Sequence, residues 1–186
     1  ICSIFADAMN RIKNPLKIVL FGLFFQFGNA QYISVDEGYT AQDLVEDVLI
    51  NSPCANVFNI SVSGGNFASG EKSYGFFEAS GTGFPFENGI ILSTGKINNA
   101  PGPNSYLSDD GGSMGWDGDI DLNQALGLSD TYNATVLEFD FIPLGNKISF
   151  DYIFSSEQYL TSPSSNQCNF TDGFAFLLKR NGETNY

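Results

Sequence analysis

Residues 135–142 read Thr-Val-Leu-Glu-Phe-Asp-Phe-Ile, and the fold class turns on how that stretch alternates. Leu137, Phe139 and Phe141 fall on one face, Glu138 and Asp140 on the other, the period of two that marks a half-buried strand. Pro143-Leu144-Gly145-Asn146 then supplies turn residues, and residues 147–155, Lys-Ile-Ser-Phe-Asp-Tyr-Ile-Phe-Ser, set Ile148, Phe150, Tyr152 and Phe154 on a second apolar face. The pair reads as an antiparallel hairpin with an aromatic core face. Outward from it, residues 57–63, 73–78 and 89–94 are short β-prone runs between Gly, Asn and Ser clusters. Residues 173–179 form another, entering a tight turn at Arg180-Asn181-Gly182-Glu183 beyond which a partner strand is expected. Thr40, with Asp43 three residues on and Leu44, Val45, Val48 and Leu49 at helical spacing, predicts one amphipathic helix over about residues 41–50. No second helix of comparable strength is evident. The expected fold is all-β, mainly an antiparallel β-sandwich of jelly-roll or lectin-like type, with one short N-terminal α-helix.

Composition agrees and removes several function classes. A chain of 186 residues with 42% hydrophobic and 16% charged residues can bury a core. Its 18 Phe, 8 Tyr and 20 Gly favour short strands and turns over a helical bundle. Histidine is absent, which excludes Ser-His-Asp and Cys-His nucleophiles and imidazole metal sites. With 21 Asp+Glu against 8 Lys+Arg, the net charge of −13 repels phosphate backbones and anionic lipid, so no nucleic-acid partner is expected. Cations and neutral partners such as sugars fit better.

The first thirty residues read as an address. Arg11, Lys13 and Lys17 precede the apolar run 18–25, too short to span a bilayer, and Gly28-Asn29-Ala30 ends in small residues suited to cleavage. Residues 9–30 are expected to be a secretory signal peptide cut near Ala30, with Met9 as initiator and residues 1–8 an upstream artefact. Losing Asp7 and three cations leaves residues 31–186 with 20 acids against 5 bases, a net of −15 and no integral membrane span. Cys2 is removed with the signal, so Cys54 and Cys168 remain. In an oxidising compartment they pair, or they stay as two buried thiols.

Three places could carry chemistry. Asp109, Asp110, Asp117, Asp119 and Asp121 crowd a Gly-rich stretch that also holds Trp116, the sole tryptophan. Like charges at that density call for a neutralising ion, and Ca²⁺ takes hard oxygen ligands from flexible loops. Asp117, Asp119 and Asp121 alternate as in an EF-hand, but Leu122, Gln124 and Leu128 break that pattern. Two readings stand, a solvated acidic loop and a calcium site of another kind. Trp116 is a stacking platform for a sugar ring or a lid on the core. The second place gathers Asp151, Ser155, Ser156, Glu157 and Tyr159, where paired carboxylates would serve a glycoside hydrolase. The third is Asp172-Gly173 ahead of Phe174-Ala175-Phe176-Leu177, which resembles the legume-lectin signature whose Asp accepts hydrogen bonds from sugar hydroxyls. Sequons at Asn59, Asn133 and Asn169 are read as chance occurrences.

Several segments together resemble the choice-of-anchor L domain. They are Asn51-Ser52-Pro53-Cys54-Ala55-Asn56-Val57, Gly75-Phe76-Phe77-Glu78, Gly89-Ile90-Ile91-Leu92-Ser93-Thr94-Gly95, Asn99-Ala100-Pro101-Gly102-Pro103-Asn104, residues 133–141, Phe154-Ser155-Ser156-Glu157-Gln158-Tyr159 and residues 172–178. The resemblance implies an N-terminal module of exported surface proteins of Gram-negative bacteria, often built with a type IX secretion sorting domain. It implies secretion or display at the cell surface and no established activity. It also implies a Cys54–Cys168 disulfide, and residues 31–186 are then expected to be one domain truncated at its C-terminus. The functional expectation is a non-enzymatic, adhesive or glycan-binding module, calcium-stabilised, with an extracellular glycan or a surface protein as partner. Asp172, Gly173, Trp116 and Glu157 are its candidate ligand-binding residues; a carbohydrate-active hydrolase using Glu157 with Asp151, or a spacer without ligand, is the alternative. A Cys54–Cys168 bridge closes a loop of over a hundred residues and would contribute about 4 kcal/mol. Mass spectrometry checks it: reduction is expected to add the mass of two sulfur-bound hydrogens, and an unchanged mass would leave two free thiols.

Overall fold

Strand pairing divides the protein into two antiparallel sheets. The structure is a computed structural model and describes residues 32–52, 56–65, 67–102, 115–156, 171–183 and 186. One sheet places β3 (Tyr74–Glu78) between β1 (Ser34–Asp36) and β4 (Asn88–Leu92); the other pairs β2 (Asn56–Ser63) with β5 (Val136–Ile142). The fold is all-β, as the alternation predicts, and β2 to β5 lie within about two residues of the expected runs. In β5, Leu137, Phe139 and Phe141 are half-buried while Glu138 and Asp140 are exposed. A bulge interrupts the β2–β5 register between Phe58 and Ser61. Asn59 supplies it with φ of 53°, a left-handed conformation that Asn tolerates, and its Nδ2 donates across the pair to Asp140 Oδ2 at 2.7 Å.

Residues 41–50 form the expected helix, α1, which is α-helical over Ala41–Asp43 and π-helical over Leu44–Ile50. Thr40 and Asp43 make a reciprocal capping box, and the Thr40 hydroxyl holds the Asp43 carboxyl below its ordinary value. Asn51, at φ of 37°, closes the helix by donating to the Glu46 carbonyl at 3.0 Å. Leu44 and Val45 are fully buried, and the helix packs against a strand of each sheet, β2 and β4.

The structure differs from the sequence reading in several places; residues 173–179, expected as a strand, form none. A second helix, α2, covers Ile120–Leu126. Asp119 Oδ1 accepts from the Leu122 N–H at 2.8 Å to start it. Gly127 at φ of 67° stops it, with Gly127 and Leu128 donating to the carbonyls of Gln124 and Asn123 in a Schellman arrangement. The hairpin expected between residues 135–142 and 147–155 is also absent: β5 pairs with β2 instead. Residues 147–156 form no ladder with β5; their rings pack with those of residues 174–176, Phe150 on Phe176 at 4.1 Å and Tyr152 on Phe174 at 5.3 Å. Ring packing and a long-range partner win over the local turn signal.

Four strand ends meet at a pair of hydroxyls, one buried and one half-buried. Ser73, fully buried ahead of β3, accepts from the Gly65 N–H beyond β2 at 2.9 Å. Thr135, ahead of β5, lies 2.7 Å from the Ser73 hydroxyl and 2.6 Å from the Ser93 carbonyl beyond β4. A hydroxyl has one proton and a carbonyl can only accept. Thr135 therefore donates to Ser93, and Ser73 donates to Thr135. The result is one directional chain from Gly65 N–H through two hydroxyls to Ser93 C=O, and it leaves no room beside it: a Cβ on Gly64 would lie 2.4 Å from Ser73 Oγ. Replacing Thr135 with Val keeps the shape but takes the acceptor from the buried Ser73 hydroxyl and the donor from the half-buried Ser93 carbonyl, so it is expected to cost about 1–3 kcal/mol in urea unfolding, whereas Thr135→Ser is expected to cost under about 1 kcal/mol.

Candidate functional site

The outer face of the three-stranded sheet carries a cavity that the alternation of its strands builds. Register sets Ser34 opposite Glu78 and Asp36 opposite Phe76, while Val35 and Phe77 meet on the other face, where Phe77 is buried. The Gly38 N–H donates to Asp36 Oδ1 at 2.7 Å, turning the chain beyond β1. Tyr39 then lies over the Phe76 ring at 4.7 Å and 13°. Ser34, Val35, Asp36, Tyr39, Phe76 and Glu78 line an open depression of about 290 Å³, near the lower bound for small-ligand sites.

Its electrostatics favour accepting hydrogen bonds. The Ser80 hydroxyl, with the Ser80 N–H at 2.8 Å, holds the Glu78 carboxyl below its ordinary value, so it is ionised at neutral pH. Asp36 gives Gly38 one of the roughly four acceptor positions a carboxylate has. Among the described residues no cation lines the cavity. An aromatic wall beside carboxylate oxygens can take an apolar C–H face together with donor hydroxyls. General-acid chemistry is a poor match, because it needs a carboxyl held protonated near neutrality and Glu78 is displaced the other way.

The described residues singled out in the sequence each have partners in the fold. Trp116 is clamped: its N–H donates to Asn133 Oδ1 at 3.1 Å, its carbonyl accepts from Asn133 N–H at 3.0 Å, and its indole donates to the Ala134 carbonyl at 2.8 Å. The ring sits so close to Gly65 that a Cβ there would be 2.8 Å away, and Phe67 meets it edge-on at 5.7 Å. Asp117 bridges Tyr132 through its backbone. Asp119 caps α2, and Asp121 accepts from the Tyr186 phenol at 3.0 Å. Burial first, then that bond, raises the Tyr186 phenol above its usual value. Among the described residues no three acids or cysteines gather as a metal site. Asp172 accepts from the Ser156 hydroxyl at 3.1 Å, and Gly173 abuts Leu126, whose Cδ1 would lie 2.4 Å from a Cβ there. Asp109, Asp110, Glu157, Cys54 and Cys168 lie outside the described residues.

The cavity residues escaped the sequence reading. Ser34 and Asp36, like Phe76 and Glu78, stand two apart, so each pair shares a face, but β1 is only three residues long and gives too short a pattern to register. Asp43 is the one acid the capping signal placed correctly.

No helix among the described residues is long and apolar enough to cross a membrane. Neither the curated proteins nor the solved structures give a match. A family match does extend over nearly all of the chain beyond residue 32, to a surface-associated module that is not an enzymatic family. By that match over residues 33–186, together with the all-β fold, the chain belongs to the choice-of-anchor L domain family.

Proposed function

We propose that this is an exported, non-enzymatic adhesive module that binds glycan, and that a sugar unit docks on the outer face of β1 and β3. The observation that carries the reading is the stacked Tyr39–Phe76 wall beside Asp36, Glu78 and Ser34 in one cavity. Sugar C–H groups lie on the aromatic wall while hydroxyls donate to the carboxylates. An acidic chain is indifferent to a neutral polymer's charge, so recognition rests on these short-range contacts. A signal peptide cut near Ala30 and a Cys54–Cys168 bridge belong to the same reading, since both suit life outside the cell.

Calorimetry against neutral polysaccharides tests it. Tyr39→Ala and Glu78→Gln are each expected to weaken binding by about tenfold or more, because a hydrogen bond to a charged acceptor contributes about 1.5–3 kcal/mol. Retained affinity in both variants would leave a spacer without ligand at this face. Glu78 also fixes the pH dependence. Its folded value is depressed, so its charge, and the binding that needs it, persist as pH falls through the ordinary carboxylate range and vanish only below.

A calcium contribution from the acidic stretch is a separate part of the proposal, with Asp109 and Asp110 as its first candidates. Excess Ca²⁺ at about 100 times its dissociation constant should stabilise the fold by about 2.7 kcal/mol over chelator, and superimposed melts would remove calcium from the account.

A further inference from the structure

The depression beside Tyr39 and Phe76 holds more negative charge than a neutral sugar can answer. Asp36 and Glu78 both border it, and the β1–β3 register makes them diagonal neighbours on one face, about 7–8 Å apart at the backbone by the usual spacing of antiparallel strands. Asp36 accepts from the Gly38 N–H at 2.7 Å and Glu78 from the Ser80 N–H at 2.8 Å, local donors that bring no formal charge. Among the described residues the lining supplies no cation. A neutral sugar seated there strips water from two carboxylates and returns only hydroxyl donors, whereas an ammonium returns the opposite charge and stronger hydrogen bonds. The same face already shows an ammonium on an aromatic ring. Alternation along β3 places Tyr74 with Phe76 and Glu78, and Lys72 Nζ lies over the Tyr74 ring at 5.3 Å while donating to the Glu37 carbonyl at 2.6 Å. That cation is tied to the Tyr74 end of the strand, the opposite end from Glu78.

We propose that the sugar unit taken by this face carries a free amino group, its ammonium meeting Asp36 and Glu78 and its C–H face meeting Tyr39 and Phe76. The inference rests on the sugar-docking reading and narrows it to one class of ligand, an amino sugar that is not acylated on nitrogen. Acylation turns the ammonium into a neutral amide and leaves both carboxylates desolvated without a counter-charge. The long-range field agrees in sign, because a net charge of −13 draws cationic polymers and repels anionic ones. That field belongs to the whole surface, whereas the contact belongs to two carboxylates, and removing single charges inside and outside the depression separates the two.

Calorimetry with a short β-linked glucosamine oligomer and its N-acetylated counterpart, at a pH that keeps the amine protonated, is the test. The amine form is expected to bind at least about tenfold tighter in about 0.05 M salt, with the preference shrinking in about 0.5 M. Asp36→Asn and Glu78→Gln keep the oxygens that accept from Gly38 and Ser80 and remove only charge, so each is expected to lower the preference at least about threefold. Glu138→Gln removes the same charge from the exposed face of β5 and is expected to leave the preference unchanged. Circular dichroism shows that the variants are folded, and the salt dependence of the unaltered chain needs no variant. Equal affinity for the two oligomers would overturn the proposal and leave neutral-sugar docking standing. So would a preference that falls as far in Glu138→Gln as in the other two variants, which is general attraction to an acidic chain. An oligolysine of equal charge that binds as tightly through the same two acids would also overturn it and give the face to a basic protein. Failure of both oligomers and of neutral polysaccharides alike would remove sugar docking altogether.

Discussion

The chain of hydrogen bonds from the Gly65 N–H through Ser73 and Thr135 to the Ser93 carbonyl ties together strand ends from both sheets. It joins the residue beyond β2, the one ahead of β3, the one beyond β4 and the one ahead of β5. Among the described residues the two sheets share no strand-to-strand ladder, and these polar atoms link them. Its direction is fixed by one carbonyl that cannot donate, and each bond polarises the next. Shape enforces the same geometry. Gly64 and Gly65 leave Ser73 and Trp116 the space that any larger residue would take.

Trp116 extends that junction. Asn133, at φ of 55°, reaches it through backbone and side chain together, and Ala134 receives the indole proton just before Thr135 enters the hydroxyl chain. Phe67 braces the ring on one edge, and Lys96 lies over Phe67 at 5.2 Å while pairing with Glu71 at 2.9 Å. The Ser69 hydroxyl and Lys96 together hold the Glu71 carboxyl below its ordinary value. A surface ion pair contributes little alone, but here it fixes the loop that supports the tryptophan.

What the sequence disclosed follows the range of the physics involved. Local periodicity and capping located α1 and β2 to β5, because side-chain alternation and the Thr40–Asp43 box act within a few residues. Partner choice was out of reach: the turn after β5 favoured a hairpin, and nothing local announces pairing with a strand some eighty residues earlier. The second helix was legible in Asp119 and Gly127, but the acids there drew attention as metal ligands, and one of them is a cap. The cavity beside Tyr39 and Phe76 depends on a register between β1 and β3 that no single segment contains. Asp172 and Trp116 were conspicuous as residue types, yet the described contacts give them structural partners.

Asn59 and Asn133 have a bearing on how the protein can be produced. Both sit in N-glycosylation sequons, and both are bent into the left-handed region with their amides engaged. A host that glycosylates such sequons acts on the chain before β2 and β5 pair. The attached sugar would leave one hydrogen on Asn59 Nδ2 and crowd the approach of Asp140 at the bulge. At Asn133 it would stand beside the Trp116 clamp. Glycosylation and folding therefore compete for the same two side chains, and a secretory system without that modification suits this sequence.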